Sequence, residues 1–256
     1  MEIRILGAHN IETKNTGCVC ILIDDILAVD AGALTANLSI IQQQNLKAIL
    51  LTHQHYDHIR DIPALGMNFF LFEKAIELYT TRTVYEALLT HLLNDSLYPN
   101  FIEKPQEKPS IHFNMIEPGR TAIIAGYEVL PVLVNHTVPT IGYQIASRDG
   151  KKIFISSDTG PGLDDCWKQI SPEMLLIETT LLNKNEDFAH ESGHLTAALL
   201  QQELISFRKI KGYLPKVVLT HMNPLVEKDI KAEISKVEKA LNMKIRFGYE
   251  GMRINI

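Results

Sequence analysis

A chain of 256 residues that is 46% hydrophobic has the apolar side chains for one sizeable core, which excludes an intrinsically disordered protein. Its net charge of −5 argues against a dedicated nucleic-acid binder, which needs a broad basic face, and leaves room for a small anionic substrate neutralised by metal ions. Three cysteines, Cys18, Cys20 and Cys166, are an odd count in a chain well above disulfide-scaffold size, so reduced thiols in core positions of a cytoplasmic protein are expected.

Met1-Glu2-Ile3-Arg4 opens into a strand-like run rather than a signal peptide, and no apolar stretch approaches the ~20 residues of a spanning helix. Residues 2–6 alternate as a strand that ends at Gly7. Two apolar runs, 18–23 and 26–29, flank Asp24-Asp25 and predict a hairpin, with Cys18 and Cys20 on one face. A helix is expected near residues 38–44, a strand buried on both faces at 48–51, and a helix near 59–66. The stretch 69–118 is the least regular, with helical spacing at 83–93 and a Pro-containing loop at 103–109. It reads as an insertion that covers a cleft within a single domain spanning 1–256. Its aromatics Phe69, Phe70, Phe72 and Tyr79 suit core packing better than stacking on a base. Strands follow at 128–134, 141–146, 152–156, 175–177 and 216–219, with a long helix at 196–209. Ile230, Ile234, Val237 and Leu241 mark a last amphipathic helix, and strands near Ile245 and Ile254 close the chain. Strands mixed with helices throughout predict an α/β fold of sheets with helices packed outside them.

The chemistry concentrates in Thr52-His53-Gln54-His55-Tyr56-Asp57-His58, directly after the apolar strand at 48–51. Residues i and i+2 of an extended segment point the same way, so His53 and His55 converge on one point. Asp57 and His58, in the turn beyond, serve a neighbouring point. Imidazole suits zinc, and carboxylate suits zinc, manganese or iron. Further candidates stand where later strands end: His136, Asp158 and His221.

These residues resemble the metallo-β-lactamase superfamily. The His-x-His-x-Asp-His signature is intact as His53, His55, Asp57 and His58, and His136, Asp158 and His221 follow in the family's order. Val29-Asp30-Ala31-Gly32 is similar to its acidic turn, where Asp30 would support a ligand. The resemblance implies a four-layer αβ/βα sandwich of two mixed sheets with outer helices. It also implies two divalent ions, zinc or alternatively manganese or iron. His53, His55 and His136 would hold one, Asp57, His58 and His221 the other, and Asp158 would bridge them.

Ser192-Gly193-His194-Leu195-Thr196 and the stretch from His136 to Tyr143 resemble the phosphodiesterase branch, which includes ribonuclease Z and class II cyclic-nucleotide phosphodiesterases. There the histidine at the position of His194 assists the leaving group; the nearby His190 is read as a bystander. The implied function is hydrolysis of a small phosphodiester or cyclic nucleotide by a hydroxide bridging two ions, with Asp57 and His194 as catalytic residues. A lactone, ester or thioester hydrolase is the alternative on the same scaffold, and a di-iron redox protein the more distant one. Two departures stand out: Ser157 replaces the family's glycine before the bridging aspartate, and no long basic arm of the ribonuclease Z kind is visible. The implied partner is a small anionic substrate rather than an extended nucleic acid or a membrane, with a homodimer as the commonest assembly.

Overall fold

Fourteen strands form two seven-stranded mixed sheets, one in each of two units of the computed structural model, which describes all 256 residues. The first unit comprises Met1–Gly7, Gly17–Glu117 and Glu250–Ile256; the second comprises Ala8–Thr16 and Pro118–Tyr249.

The elements of the first unit begin with β1 (Glu2–Gly7), β2 (Cys20–Ile23), β3 (Leu27–Val29), α1 (Leu34–Asn37), α2 (Ile40–Asn45) and β4 (Ala48–Leu50). They continue with α3 (Tyr56–Ile59), α4 (Ile62–Leu71), β5 (Ile76–Thr80), α5 (Arg82–Ala87) and β6 (Ile111–Met115). The second unit holds β7 (Ala122–Ile124), β8 (Tyr127–Leu133), β9 (Ile141–Ala146), β10 (Lys152–Ile155), α6 (Asp164–Gln169), β11 (Met174–Glu178) and α7 (Glu186–Ser192). It ends with α8 (Ala197–Lys211), β12 (Lys216–Thr220), α9 (Glu227–Leu241) and β13 (Ile245–Phe247), and the chain returns to the first unit as β14 (Arg253–Asn255).

The first sheet runs β14-β1-β2-β3-β4-β5-β6, antiparallel as far as β3 and parallel from β3 to β6. Asp24 and Asp25, with φ of 46° and 55°, turn the chain in the three-residue β2–β3 loop, which Ile26 N closes by donating to Ile23 O at 3.0 Å. The core of this unit joins Leu22, Ala28, Ile49 and Leu78 to Leu34, Ile62, Leu65 and Phe69 on the helices.

The irregular reading of 69–118 needs correction in detail: β5 and β6 are parallel strands of the first sheet. Five-residue strands with mixed burial give too short an alternation to stand out against flanking helices. The expected helix at 83–93 is α5 continued by a π-helical turn over Leu88–Leu92.

The second sheet runs β13-β12-β11-β10-β9-β8-β7. Strands β10 to β13 are parallel, and β7 to β10 are antiparallel. Strand β11 is buried at every position, which is why residues 175–177 read as a continuous apolar run. Helices α6, α8 and α9 cover it with Trp167, Leu200, Leu204, Phe207, Ile230 and Ile234. No helix is long and apolar enough to cross a membrane.

Candidate metal centre

In the first unit, β3 and β4 are parallel neighbours, so the residues that follow them emerge at one sheet edge. Asp30 follows β3, is fully buried, and adopts φ of 59°. Its backbone N–H donates to Leu50 O at 2.8 Å. Thr52, just beyond β4, donates to the Asp30 carboxylate from its N–H and its hydroxyl, each at 2.9 Å. His58 Nδ1 lies 2.7 Å from the other oxygen. Burial pushes the Asp30 carboxyl above the usual range, and His58 and Thr52 oppose that push by stabilising its charge.

These contacts assign the histidine tautomers. His58 donates from Nδ1 to a carboxylate, so its Nε2 keeps a lone pair. The Thr52 hydroxyl proton is committed to Asp30, so this oxygen accepts from His53 Nδ1 at 3.0 Å, and His53 Nε2 also keeps its lone pair. The His53 ring centroid lies 4.7 Å from that of His55 and 4.1 Å from that of His58. Asp57 Oδ2 lies 3.5 Å from His58 Nε2. Gly32 fixes the position of this turn: a Cβ there would come within 2.1 Å of Asp57 O. The backbones of the acidic turn and the ligand run are therefore in direct contact, and any side chain would force them apart.

In the second unit, the parallel strands β10, β11 and β12 end together and deliver Asp158, Glu178 and His221 to one edge. Ser157 has φ of 60°, which explains why the family favours glycine there; serine adopts it at a modest cost. His221 is also left-handed, at φ of 55°. Its Nε2 lies 3.3 Å from Asp158 Oδ2, and His136 Nε2 lies 4.0 Å from the same oxygen. His136 Nδ1 donates to Gly193 O at 2.8 Å, an acceptor only, which again leaves Nε2 with its lone pair. Gly193 has φ of 66°, and a Cβ there would meet His136 Nδ1 at 2.9 Å. Burial pushes the His136 imidazole below its ordinary value despite the nearby Asp158, which favours the neutral, ligating form.

Glu178 is the residue that sequence reasoning missed. It is fully buried at the end of β11 and accepts from Thr159 N at 2.8 Å, Thr180 Oγ1 at 2.7 Å, Leu195 N at 3.1 Å and His194 Nδ1 at 2.7 Å. Thr180 Oγ1 in turn lies 2.8 Å from His221 Nδ1. One carboxylate thus braces the loop after Asp158, the histidine at 194 and, through Thr180, the histidine at 221. The available signal was a lone acidic residue closing the apolar run 175–177, at a strand end like the other candidates. The His194 ring stacks on His221 at 5.3 Å between centroids and lies 5.1 Å from that of His136.

Each unit therefore gathers its own candidates: His53, His55, Asp57 and His58 in the first, and His136, Asp158, His194 and His221 in the second. His190 and His91 are exposed and join neither group. All three cysteines are free and buried. Burial, with Asp57 adding to it, raises the Cys18 thiol to about 11, so it stays protonated at neutral pH.

The donor set fits divalent cations. Neutral imidazoles with Nδ1 tied to buried acceptors, beside carboxylates, are how proteins orient metal ligands. Two anionic aspartates near those Nε2 atoms supply the charge such ions need.

A family model described as "Beta-lactamase superfamily domain" matches residues 21–222. Ribonuclease Z of Thermococcus kodakarensis is 27% identical over 137 residues, covering 51% of this chain and 40% of that protein. The exodeoxyribonuclease WalJ of Streptococcus pneumoniae is 25% identical over 140 residues, covering 52% and 46%. The matches thus span less than half the length of these curated relatives. Among solved structures, yeast PDE1 superposes with a TM-score of 0.84 at 15% identity, covering 100% of this chain and 99% of that one. Human short-form tRNase Z gives 0.70 at 20%, covering 100% and 99%. The metallo-beta-lactamase fold protein YhfI of Bacillus subtilis gives 0.74 at 16%, covering 99% and 98%. At such identities these likenesses establish the fold, while the family match rests on sequence and includes every candidate ligand. The chain belongs to the beta-lactamase superfamily and has the metallo-beta-lactamase fold.

Proposed function

We propose that this protein is a two-metal hydrolase of small phosphodiesters, a cyclic nucleotide being one such substrate, and that the two ligand sets serve one dinuclear centre. In this reading His53, His55 and His136 hold one ion, Asp57, His58 and His221 the other, and Asp158 is shared. Family membership supports the assignment, as do the Nε2 lone pairs at His53, His58 and His136. Divalent ions at these ligands would supply hydroxide at neutral pH and neutralise the charge that develops on a phosphoryl group.

The observation that carries the phosphodiester reading is the His194–Glu178 contact at 2.7 Å. Nδ1–H donation to Glu178 fixes the ring and leaves Nε2 as its working nitrogen, the atom from which a proton would pass to a departing alkoxide. Glu178 is itself fixed by three further donors, so the ring is oriented before substrate binds. Asp57, with a side chain 30% exposed, is the ligand placed to orient the attacking water as well. The curated relatives, ribonuclease Z and an exodeoxyribonuclease, are nucleases, which supports the same bond class. The acidic charge balance favours a small substrate over an extended nucleic acid.

The test is turnover of bis(p-nitrophenyl) phosphate by metal-replete protein, with a lactone and a thioester assayed beside it. Phosphodiester cleavage that a chelator abolishes is the expected result. Lactone or thioester cleavage alone would move the function to carbon esters.

A further inference from the structure

The loop after Asp158 is gripped from its far side by a carboxylate that the mechanism does not use. Glu203, on α8, is only 6% exposed. Its Oε1 accepts from Gly162 N at 2.7 Å, and its Oε2 accepts from Leu163 N at 3.3 Å and Trp167 Nε1 at 3.0 Å. Those three N–H groups are its partners; no cation pairs with it. On the other side of the loop, Asn135 Nδ2 donates to Pro161 O at 2.6 Å, Gly160 N donates to Asn135 O at 2.5 Å, and Asn135 N donates to Thr159 Oγ1 at 3.2 Å. Residues 159–163 are thus clamped between α8 and the residue that precedes His136.

A buried carboxylate without a counter-ion is costly unless its oxygens are well hydrogen-bonded. Glutamine has the same shape, but its amide would turn an NH2 group toward N–H donors and leave at least one of them without an acceptor. The charge is therefore matched to holding this loop rather than to filling space.

We propose that Glu203 is a positioning residue for metal: by clamping 159–163 it fixes Asp158 against His136 and His221 and sets the affinity for the ion they hold. This rests on the reading of Asp158 as a ligand. Glu203 touches no substrate; it acts through Asp158.

The experiment uses the full chain, stripped with chelator and titrated with Zn2+ in competition with a fluorescent zinc indicator. Glu203→Gln is compared with wild type and with Ile234→Ala, a destabilising change in the α9 core far from the loop in sequence. Zinc affinity in Glu203→Gln is expected to fall about 10- to 100-fold, the usual loss when support for a ligand is removed. Its turnover is expected to recover in excess zinc with KM unchanged, and Ile234→Ala is expected to bind as wild type does. Unchanged affinity in Glu203→Gln, or an equal loss in Ile234→Ala, overturns the proposal. Should Glu203→Gln fail to fold, Asn135→Ala releases the loop from its more exposed side; the same loss of affinity supports the clamp and none overturns it. Wild-type protein that binds no zinc would overturn the metal reading itself, and the clamp with it.

Discussion

The two sets of candidate ligands are assembled by different routes. In the first unit, four candidates lie within six residues, and one buried acid, Asp30, orients His58 directly and His53 through Thr52. In the second unit, Asp158 and His221 meet because the parallel strands β10, β11 and β12 end in register, while His136 follows the antiparallel strand β8 and His194 precedes α8. There Glu178 and Thr180 do across three strand ends what chain adjacency does in the first unit. Position set by register needs a wider supporting network, so the second set should be the more sensitive to loss of its brace.

The largest effect should come from Asp158→Ala, which removes a ligand assigned to both ions. Elemental analysis is expected to find metal lost and turnover at background; His53→Ala should lose metal too but retain part of the second site. Retention of two ions in Asp158→Ala would break the shared-ligand assignment. Next, His194→Ala is expected to keep its metals while bis(p-nitrophenyl) phosphate turnover falls about 10²–10⁴-fold. Equal activity would remove His194 from the mechanism. The comparison itself is sharpened by Glu178→Gln against Asp30→Asn. The first should lower both turnover and zinc affinity, because it loosens His194, His221 and the Asp158 loop together. The second should lower zinc affinity alone, about 10- to 100-fold. The same phenotype in both would show that the two networks do not differ in reach.

The smallest effect concerns the thiols. With Cys18 raised to about 11 and Cys20 and Cys166 also raised by burial, native protein at pH 8 should resist a thiol reagent that labels all three after denaturation. Unfolding restores the ordinary thiol range, so this contribution to stability is complete below that range and is lost as pH rises through the folded values. Fast labelling of the native state would contradict the buried placement.

The contiguous set was legible because a ligand run after an apolar strand is a local signal. His136, Asp158 and His221 were legible as candidates at strand ends, but their division into ligand sets came only from the resemblance, since register is absent from a single sequence. Glu178 escaped because an acidic residue ending a strand is ordinarily a solvated terminus, and only its four donors reveal its role. The strands β5 and β6 escaped for a related reason: their short, half-buried patterns gain meaning from parallel neighbours. Ser157 was visible as a departure from glycine, but the left-handed backbone that explains the preference was not.

The central claim is that both ligand sets hold metal and that this metal does the hydrolysis. The most direct measurement is metal content per chain by elemental analysis, alongside chelator-sensitive turnover of bis(p-nitrophenyl) phosphate. Two divalent ions per chain, with turnover lost on chelation and restored on adding metal back, is the predicted result. Phosphodiester cleavage that survives complete removal of metal would contradict it.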